Sequence, residues 1–445
     1  MDTVKLKFKE KLGYGAGDFA SNLVWTSASA FLTFFYTDIV GIGAAAVGTL
    51  LLIARVFDGF VDIGVGALVD KTKSKYGKAR PWILYGAVPF GLAGILMFTA
   101  PDFGPTGALV YAYVTYLIMN VAYSSINVPY GVLNSLITQD PYERSLLNIF
   151  RMVGALVAAI VVTFFTMPLV GAFGGGKTGW ALAFVVFGVL STMLFLTTFA
   201  ATKERVKPSV VQKDVPTGRA AKALFRNYYW GIMLVYMLVF YTGMAVTSAV
   251  NVYFAQYVLN DAALVGMLGL IGLGPMLVAL LLLAPVIKRI GKRNAAMLGC
   301  GIVVLGSIPV IIDPTNVTLV LLGTAIKSIG TAPLIATVFA MLADTVDYGE
   351  WKTGIRTEGL VYSAGSFGSK AGSGLGAALV GWLLAFGGYV GGQTSVSGAA
   401  YNSIVFMGVY LPVIFAVVQM GLLSLYTLDK KYPQIIQELA EVKSM

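Results

Sequence analysis

The stretch RVFDGFVDIGVGALVDKTKSKYGKARPW, residues 55–82, decides the fold because it places charges inside an apolar run. Arg55, Asp58 and Asp62 are three and four residues apart, so an α-helix aligns them on one narrow stripe. A charge near the middle of a bilayer costs roughly 2.5 to 3.5 kcal/mol, which is roughly 8 to 10 kcal/mol for the three together. We therefore expect this stripe to face protein, water or an ion.

The two carboxylates of the stripe repel each other in a low dielectric, and Arg55 balances only part of their charge. Binding of a cation or of a proton removes the conflict. Asp58 and Asp62 are therefore the candidate site for a coupling ion, H⁺ or Na⁺. The alternative is an ion-pair cluster that only packs helices together, although buried pairs seldom add stability.

The composition is typical of an integral membrane protein. Of the 445 residues, 57% are hydrophobic and 12% are charged, and the mean hydropathy is +0.80. The single cysteine, Cys300, excludes a disulfide framework and a cysteine metal cluster, and the chain has no histidine. We expect no cofactor, and the net charge of +10 does not indicate nucleic acid, because its basic residues follow a membrane topology.

Polar breaks divide the chain into twelve apolar windows near the ~20 residues that a membrane-crossing helix needs. The expected spans are 12–37, 43–69, 81–100, 107–134, 147–172, 179–201, 229–258, 263–287, 295–312, 316–343, 358–388 and 400–427. We therefore expect an all-α membrane protein of twelve transmembrane helices in two pseudo-symmetric six-helix bundles. The expected domains are a bundle at 1–201, a cytoplasmic linker at 202–228, a second bundle at 229–428 and a cytoplasmic tail at 429–445.

Basic residues predict the orientation of the spans. With a cytoplasmic N-terminus, the inside segments hold 26 of the 31 Lys and Arg residues and the outside segments hold only Lys177. Both termini are therefore expected in the cytoplasm, in a cell inner membrane, without a cleaved signal peptide. The basic loops GALVDKTKSKYGKARPW and APVIKRIGKRN follow the second and eighth spans, which suggests duplicated halves, although any cytoplasmic loop tends to be basic.

Polar residues in the first span point to a sugar. Asp18, Asn22 and Trp25 share one helix face and offer a carboxylate, an amide and an indole. Sugar hydroxyls pair with the first two groups, and the C–H face of a pyranose stacks on an aromatic ring. Alternatively, Trp25 is an ordinary anchor at the membrane interface.

The fourth span carries a second polar face, which includes Ser124 and Asn127 and is followed by Pro129 and Tyr130. Pro129 should bend the helix and free a carbonyl near the Ser124 hydroxyl. Oxygen ligands released in this way suit a hard cation such as Na⁺. Hydrogen bonding between helices is the competing account for the neutral groups.

Three basic residues lie inside later spans. Arg151 could extend to the interface or bind a substrate oxygen or carboxylate. Lys327 could meet an anionic substrate group or reach a watery cavity. Lys370 stands among the glycines of the eleventh span, and we expect it to neutralise Asp58 and Asp62 when no cation is bound.

Several long motifs occur in order between about residues 10 and 430: GYGAGDF (13–19), the 55–82 stretch, NVPYG (127–131), DTVDYGEWKTGIRTEG (344–359) and SKAGSGLG (369–376). Together they resemble the glycoside-pentoside-hexuronide:cation symporter family of the major facilitator superfamily. The resemblance implies two bundles that alternate access to a central site. It implies a coupling-cation site at Asp58 and Asp62 with help from Ser124, and sugar contacts at Asp18 and Arg151. Lys370 is similar to the buried lysine of the family's eleventh helix.

Two departures bear on the substrate. Members of the melibiose type have Asp and Trp where this chain has Asn127 and Gly131, which argues against an α-galactoside. YSSINVPYG and NVYFAQYVLND look closer to the glucuronide and xyloside carriers of the family. We therefore expect a monomeric importer of a small glycoside, pentoside or hexuronide, with Asn22, Trp25, Asn127, Tyr130, Lys327 and Lys370 as further substrate contacts.

Two other classes of protein stay open. An efflux antiporter of the same superfamily would extrude dyes and show no cation-stimulated sugar uptake. A multipass enzyme or lipid scramblase would need a catalytic cluster near one interface, whereas the charges here converge on mid-span. The sequence contains no GxSxG, Walker or HExxH motif, so no enzyme is expected.

Overall fold

The computed structural model describes residues 5–138, 140–206, 224–354, 358–393 and 395–444, and every regular element in these ranges is helical. Most of the predicted linker, residues 207–223, lies outside the described residues. The first half of the chain forms α1 Phe8–Phe34, α2 Ala44–Lys71, α3 Arg80–Met97, α4 Gly104–Ile137, α5 Pro141–Ala172 and α6 Gly176–Ala201.

The second half contains α7 Tyr228–Tyr253, α8 Leu264–Ile290, α9 Lys292–Ile312, α10 Val317–Thr353, α11 Glu358–Phe386, α12 Gly398–Val405, α13 Leu411–Leu425 and α14 Leu428–Ser444. Three π-helical segments continue or join these helices: Phe35–Val40 after α1, Phe254–Val258 after α7 and Phe406–Tyr410 between α12 and α13. Eleven helical segments of the described chain are long and apolar enough to cross a membrane. With α11 they account for the twelve predicted membrane helices, so the expected all-α class is confirmed.

Local chemistry explains where several helices begin and end. Asn227 and Asn316 are N-caps, because their side-chain oxygens accept the backbone N–H groups of Trp230 and Leu319 at 3.0 and 3.2 Å. Gly354 ends α10 in the left-handed conformation, at φ 68°, which a residue without a Cβ adopts freely.

The chain divides into two compact units. The first contains Met1–Val210, Asp261–Gly269 and Gly381–Ala400, and the second contains Val211–Asn260, Leu270–Val380 and Tyr401–Met445. The domain limits expected from the sequence stay predictions.

In the first unit, α1 packs closely on α5 and α6 through glycines. A Cβ on Gly15 would lie 2.6 Å from the carbonyl oxygen of Phe150, so only glycine permits this approach of α5. Gly154 meets the backbone of Gly15 from the other side, and Gly13 meets Ala201 of α6. Small residues let membrane helices gain backbone packing that lipid cannot replace.

The second unit uses the same device. On α9 and α10, a Cβ at Gly299 would lie 2.5 Å from the carbonyl oxygen of Gly330, and the reciprocal distance is 2.6 Å. A Cβ at Gly372 of α11 would lie 2.6 Å from the carbonyl oxygen of Leu238 on α7. Cys300 is fully buried in this apolar core, which explains a lone cysteine without a chemical role.

In each unit, a carboxylate caps the start of one helix: Glu204 follows α6 in the first unit, and Asp429 lies in the first turn of α14 in the second. Glu204 accepts the backbone N–H groups of Lys78, Ala79 and Arg80 at 2.8, 2.8 and 3.0 Å, where α3 begins. The Arg80 guanidinium donates to the carbonyl oxygen of Phe199 at the end of α6, at 2.8 Å. A negative charge at a helix N-terminus is stabilising, because unpaired N–H groups converge there.

The second unit repeats this arrangement at α9. Asp429 accepts the backbone N–H of Arg293 at 2.9 Å, and the Arg293 guanidinium donates to the carbonyl oxygens of Leu423 and Ser424 at 2.7 and 3.1 Å. We call the Glu204 and Asp429 arrangements the helix-end clasps. Two clasps at equivalent places support the duplication suggested by the two basic loops.

Candidate functional site

The predicted ion residues lie on α2 and α4 of the first unit. Asp58 and Ser124 are both fully buried, and the Ser124 hydroxyl donates to Asp58 Oδ1 at 2.9 Å. Asp62 lies one turn further along α2 and is half-buried. The structure thus brings together the carboxylate and the hydroxyl that the sequence assigned to one site, in a region that excludes bulk water around Asp58.

Arg55 lies one turn before Asp58 and makes a cation–π contact that the sequence did not indicate. Its guanidinium stacks on the Trp25 ring, with Cζ 3.8 Å from the ring centroid, and the residue is only 7% exposed. Its Nη1 finds no hydrogen-bond partner within the described ranges. A buried cation over an indole is attracted by the ring quadrupole, and this attraction offsets part of its desolvation.

Trp25 is also stacked on Tyr123 of α4, with ring centroids 4.4 Å apart. Trp25 of α1 and Tyr123 of α4 form an aromatic group, and the guanidinium of Arg55 from α2 stacks on its Trp25 ring. Trp25 is half-buried, so part of its surface stays accessible. This packing against two charged or aromatic neighbours argues against a simple interfacial anchor.

Asp18 and Arg151 form an ion pair between α1 and α5, with Arg151 Nε 3.0 Å from Asp18 Oδ2. Asp18 is 9% exposed, whereas the Arg151 side chain is 33% exposed. The guanidinium also lies 5.1 Å from the Tyr130 ring centroid. The pair therefore presents a partly accessible guanidinium, with its planar N–H donors, beside a carboxylate. Sugar hydroxyls can bridge these two groups.

Tyr130 is fully buried and stacks on Tyr14 with ring centroids 4.7 Å apart. Its hydroxyl donates to the Tyr14 carbonyl oxygen at 2.5 Å, and the Tyr14 hydroxyl donates back to the Tyr130 carbonyl oxygen at 3.3 Å. This geometry suits a residue that holds Arg151 in place better than one that touches substrate directly. Tyr14 was not predicted, because its pairing across α1 and α4 leaves no periodic signal.

Asn22 and Asn127 are half-buried on α1 and α4. The Asn22 amide donates to the backbone carbonyl of Asp18 at 2.9 Å, and the Asn127 amide makes a long contact of 3.5 Å with the carbonyl of Tyr123. Both side chains thus keep their carbonyl oxygens for other partners.

Tyr123 shares the polar face of the fourth span with Ser124 and Asn127, but no role in the site was predicted for it. Its phenol lies within electrostatic range of Asp18 and Arg151 and also of Asp58 and Arg55. It is adjacent in sequence to Ser124, so the ring and the hydroxyl leave α4 about 100° apart. Its position at i−4 from Asn127 was the available signal.

Lys327 and Lys370 lie in the second unit, on α10 and α11, and both are half-buried. The expected pairing of Lys370 with Asp58 and Asp62 stays a prediction. Within the described part of the chain, no group of three His, Cys, Asp or Glu side chains could hold a metal ion. Asp58, Asp62 and Ser124 offer oxygens of the kind that bind Na⁺, and either carboxylate can take a proton instead.

Known proteins match this chain over most of their own length and most of this chain. The chain is 37% identical to the isoprimeverose transporter of Lactiplantibacillus pentosus over 98% of this chain and 91% of that protein. It is 31% identical to the inner membrane symporter YicJ of Escherichia coli (strain K12), over 100% of this chain and 97% of the relative. It is also 31% identical to the glucuronide carrier protein homolog of the same strain, over 99% and 97%.

Solved structures confirm the fold. An Asp-to-Ala mutant of the nucleoside transporter NupG superposes with a TM-score of 0.69 at 16% identity, over 93% of this chain and 99% of that structure. The profile of the family described as MFS/sugar transport protein matches residues 13–430. The resemblance read from the motifs is thereby confirmed, and the chain belongs to the MFS/sugar transport protein family, whose members are transporters and not enzymes.

Proposed function

We propose that this protein is a symporter that imports a small glycoside, pentoside or hexuronide together with H⁺ or Na⁺ by alternating access. The observation that carries the proposal is that one unit holds two polar pairs, Asp58 with Ser124 and Asp18 with Arg151, and that Tyr123 lies within electrostatic range of both. The names of the relatives, a transporter of isoprimeverose, a symporter and a glucuronide carrier homolog, support this class of substrate and coupling.

In the proposed mechanism, the coupling ion binds at Asp58 and Asp62 with an oxygen from Ser124. Removing the repulsion between the carboxylates lowers the cost of closing the site around them. Ser124 and Tyr123 are neighbours on α4, so ion binding at one affects the aromatic group that Tyr123 shares with Trp25. Coupling is reciprocal, and a typical 1–3 kcal/mol would change the sugar affinity by about 5- to 150-fold.

The sugar would bind beside this aromatic group. Trp25 offers a stacking surface, and Asp18 and Arg151 offer an acceptor and a planar donor fork for vicinal hydroxyls. Asn22 and Asn127 add amide oxygens, and Tyr130 holds Arg151. We also propose that Lys370 neutralises Asp58 and Asp62 when no cation is bound, and that Lys327 meets an anionic group of the substrate.

The proposed setting is the cell inner membrane, with both termini cytoplasmic and the protein acting as a monomer. The distribution of 26 basic residues inside against one outside supports the orientation.

The test is uptake of a labelled panel of xylosides, glucuronides and galactosides into proteoliposomes under an imposed pH or sodium gradient. We expect one gradient to drive accumulation of a xyloside or glucuronide. The double variant Asp58→Asn with Asp62→Asn should lose gradient-driven accumulation, whereas Asp313→Asn, in the connection between α9 and α10, should retain it.

Gradient-driven uptake that persists undiminished in the double amide variant would overturn the proposed ion site. Proton-driven extrusion of dyes without any sugar uptake would favour the efflux antiporter instead.

A further inference from the structure

The first unit contains an apolar cleft of about 660 Å³ between α1, α5 and α6. Its walls include Phe19, Val153, Val157 and Leu194, and glycines of α1 and α5 form its floor. Asp18 directly precedes Phe19, and Arg151 directly follows Phe150, and both phenylalanines line the cleft. Neighbouring residues of a helix lie about 100° apart, so Asp18 and Arg151 lie on other helix faces than the lining residues. The cleft is therefore separate from the candidate sugar site.

The helices around the cleft approach each other differently along their length. Near the connection between α5 and α6, away from the cleft, these two helices meet directly, because a Cβ at Gly179 would lie 2.6 Å from the carbonyl oxygen of Val170. At the other end, Phe150 of α5 and Ala201 of α6 each pack on α1 instead, at Gly15 and Gly13. The two helices thus separate around α1, and the end of the cleft that Lys9 and Ala201 line lies where α1 begins and α6 ends.

The dimensions and position of the cleft fit one lipid chain. Lys9 and Phe19 mark its ends on α1, and ten residues of helix span about 15 Å, which is half of the ~30 Å hydrocarbon core. Leu12 and Val153 on its rim are 56% and 52% exposed, as expected of side chains in contact with lipid. The apolar run of α1 begins at Leu12, after the charged residues Lys9, Glu10 and Lys11, so the Lys9 end of the cleft lies at the bilayer surface.

Two lysines lie near the Lys9 end of the cleft. Lys9 lines the cleft, and Lys203 follows Ala201, another lining residue, by two positions; both lysines are exposed. No hydrogen bond or ion pair of either ammonium occurs among the residues that the structure describes, whereas the nearby Lys11 is neutralised by Glu143 at 2.9 Å. Unneutralised lysines at the membrane surface attract anionic headgroups.

We propose that the cleft between α1, α5 and α6 binds an anionic phospholipid, with one acyl chain in the cleft and the phosphate beside Lys9 and Lys203. The occupant would complete the packing of the separated ends of α5 and α6. The bound lipid would therefore stabilise the folded protein, independently of which sugar or ion is carried.

The test is thermal unfolding of the purified full chain in detergent with added dioleoyl phosphatidylglycerol or dioleoyl phosphatidylcholine. We expect phosphatidylglycerol to raise the Tm by several degrees more than phosphatidylcholine does. The double variant Lys9→Gln with Lys203→Gln should lose this difference, whereas Lys288→Gln, an exposed lysine at the end of α8, should keep it. Val153→Trp, or Leu12→Trp if the first does not fold, should fill the cleft and reduce the rise given by both lipids.

Three results would overturn the proposal. The first is an equal rise with the two lipids in the unchanged protein. The second is an undiminished difference in the double lysine variant. The third is an equal rise with soluble glycerol phosphate, because the site would then bind a free phosphate without an acyl chain.

Discussion

The hydroxyl of Ser124 donates to Asp58 Oδ1 at 2.9 Å, and both residues are fully buried. A hydrogen bond to a charged group contributes about 1.5–3 kcal/mol. Ser124→Ala should therefore weaken activation by the coupling ion by roughly 10- to 100-fold, measured as the ion concentration that gives half-maximal sugar uptake.

The matched control is Ser307→Ala. Ser307 is equally buried, but its hydroxyl donates only to the carbonyl oxygen of Val303 within α9, at 2.9 Å. Its loss should leave ion activation unchanged. Equal ion activation in both variants would exclude Ser124 from the ion site.

The ion pair of Arg151 with Asp18 leads to a prediction about sugar recognition. Arg151→Lys keeps the positive charge but removes the planar fork that contacts Asp18 through Nε. We expect the KM for sugar to rise about tenfold or more, with little change in ion activation. Arg205→Lys, which alters an exposed pair with Glu10, is the control and should leave the KM unchanged. A shift confined to ion activation would contradict the assignment.

For the residues of the site, the sequence predicted which of them belong to it better than it predicted their contacts. The three- and four-residue spacing of Arg55, Asp58 and Asp62 predicted a shared stripe on one helix, which needs only helical geometry. The stacking of Arg55 and Tyr123 on Trp25 could not be predicted, because it depends on how α1, α2 and α4 rotate against each other. Periodicity within one helix carries no information about that rotation.

Among the elements, the helix-end clasps lead to a stability prediction. Glu204 satisfies three backbone N–H groups at the start of α3, and Asp429 satisfies one at the start of α9. Loss of such a cap costs about 0.5–2 kcal/mol. Glu204→Gln and Asp429→Asn should each lower the Tm of the purified protein, with the larger drop for Glu204. Asp102→Asn, which removes an exposed pair with Lys177, should have little effect and serves as the comparison.

Helix packing in the second unit leads to a prediction with an internal control. A Cβ at Gly372 would lie 2.6 Å from a backbone oxygen of α7, whereas a Cβ at Gly301 of α9 would meet nothing within 4 Å. Gly372→Ala should therefore lower the Tm by several degrees. Gly301→Ala should raise it slightly, because alanine favours a helix interior by about 0.5–1 kcal/mol over glycine. Thermal unfolding of both variants checks this, and a Gly372→Ala protein of unchanged Tm would contradict it.

The existence of the membrane helices could be predicted, but several of their ends could not. The tenth span was expected at 316–343, whereas α10 runs from Val317 to Thr353. Hydropathy measures only the apolar length that a bilayer requires, while the helix continues through polar residues until Gly354 ends it. The first span likewise begins at Phe8, four residues before the apolar window, because the lysines of that segment are compatible with a helix outside the bilayer.

For the whole molecule, the orientation of the chain is predicted from charge alone and can be tested with thiol labelling. The only native cysteine, Cys300, is fully buried, so the unchanged protein should not react. Thr178→Cys lies at the start of α6 beside the one basic residue expected outside, and Lys73→Cys lies in the basic connection before α3; both positions are exposed. A membrane-impermeant maleimide should label intact cells carrying Thr178→Cys, and should label Lys73→Cys only after the membrane is permeabilised. Positive residues are retained on the cytoplasmic side during insertion, so the reverse pattern would place both termini outside and would contradict the orientation proposed for import.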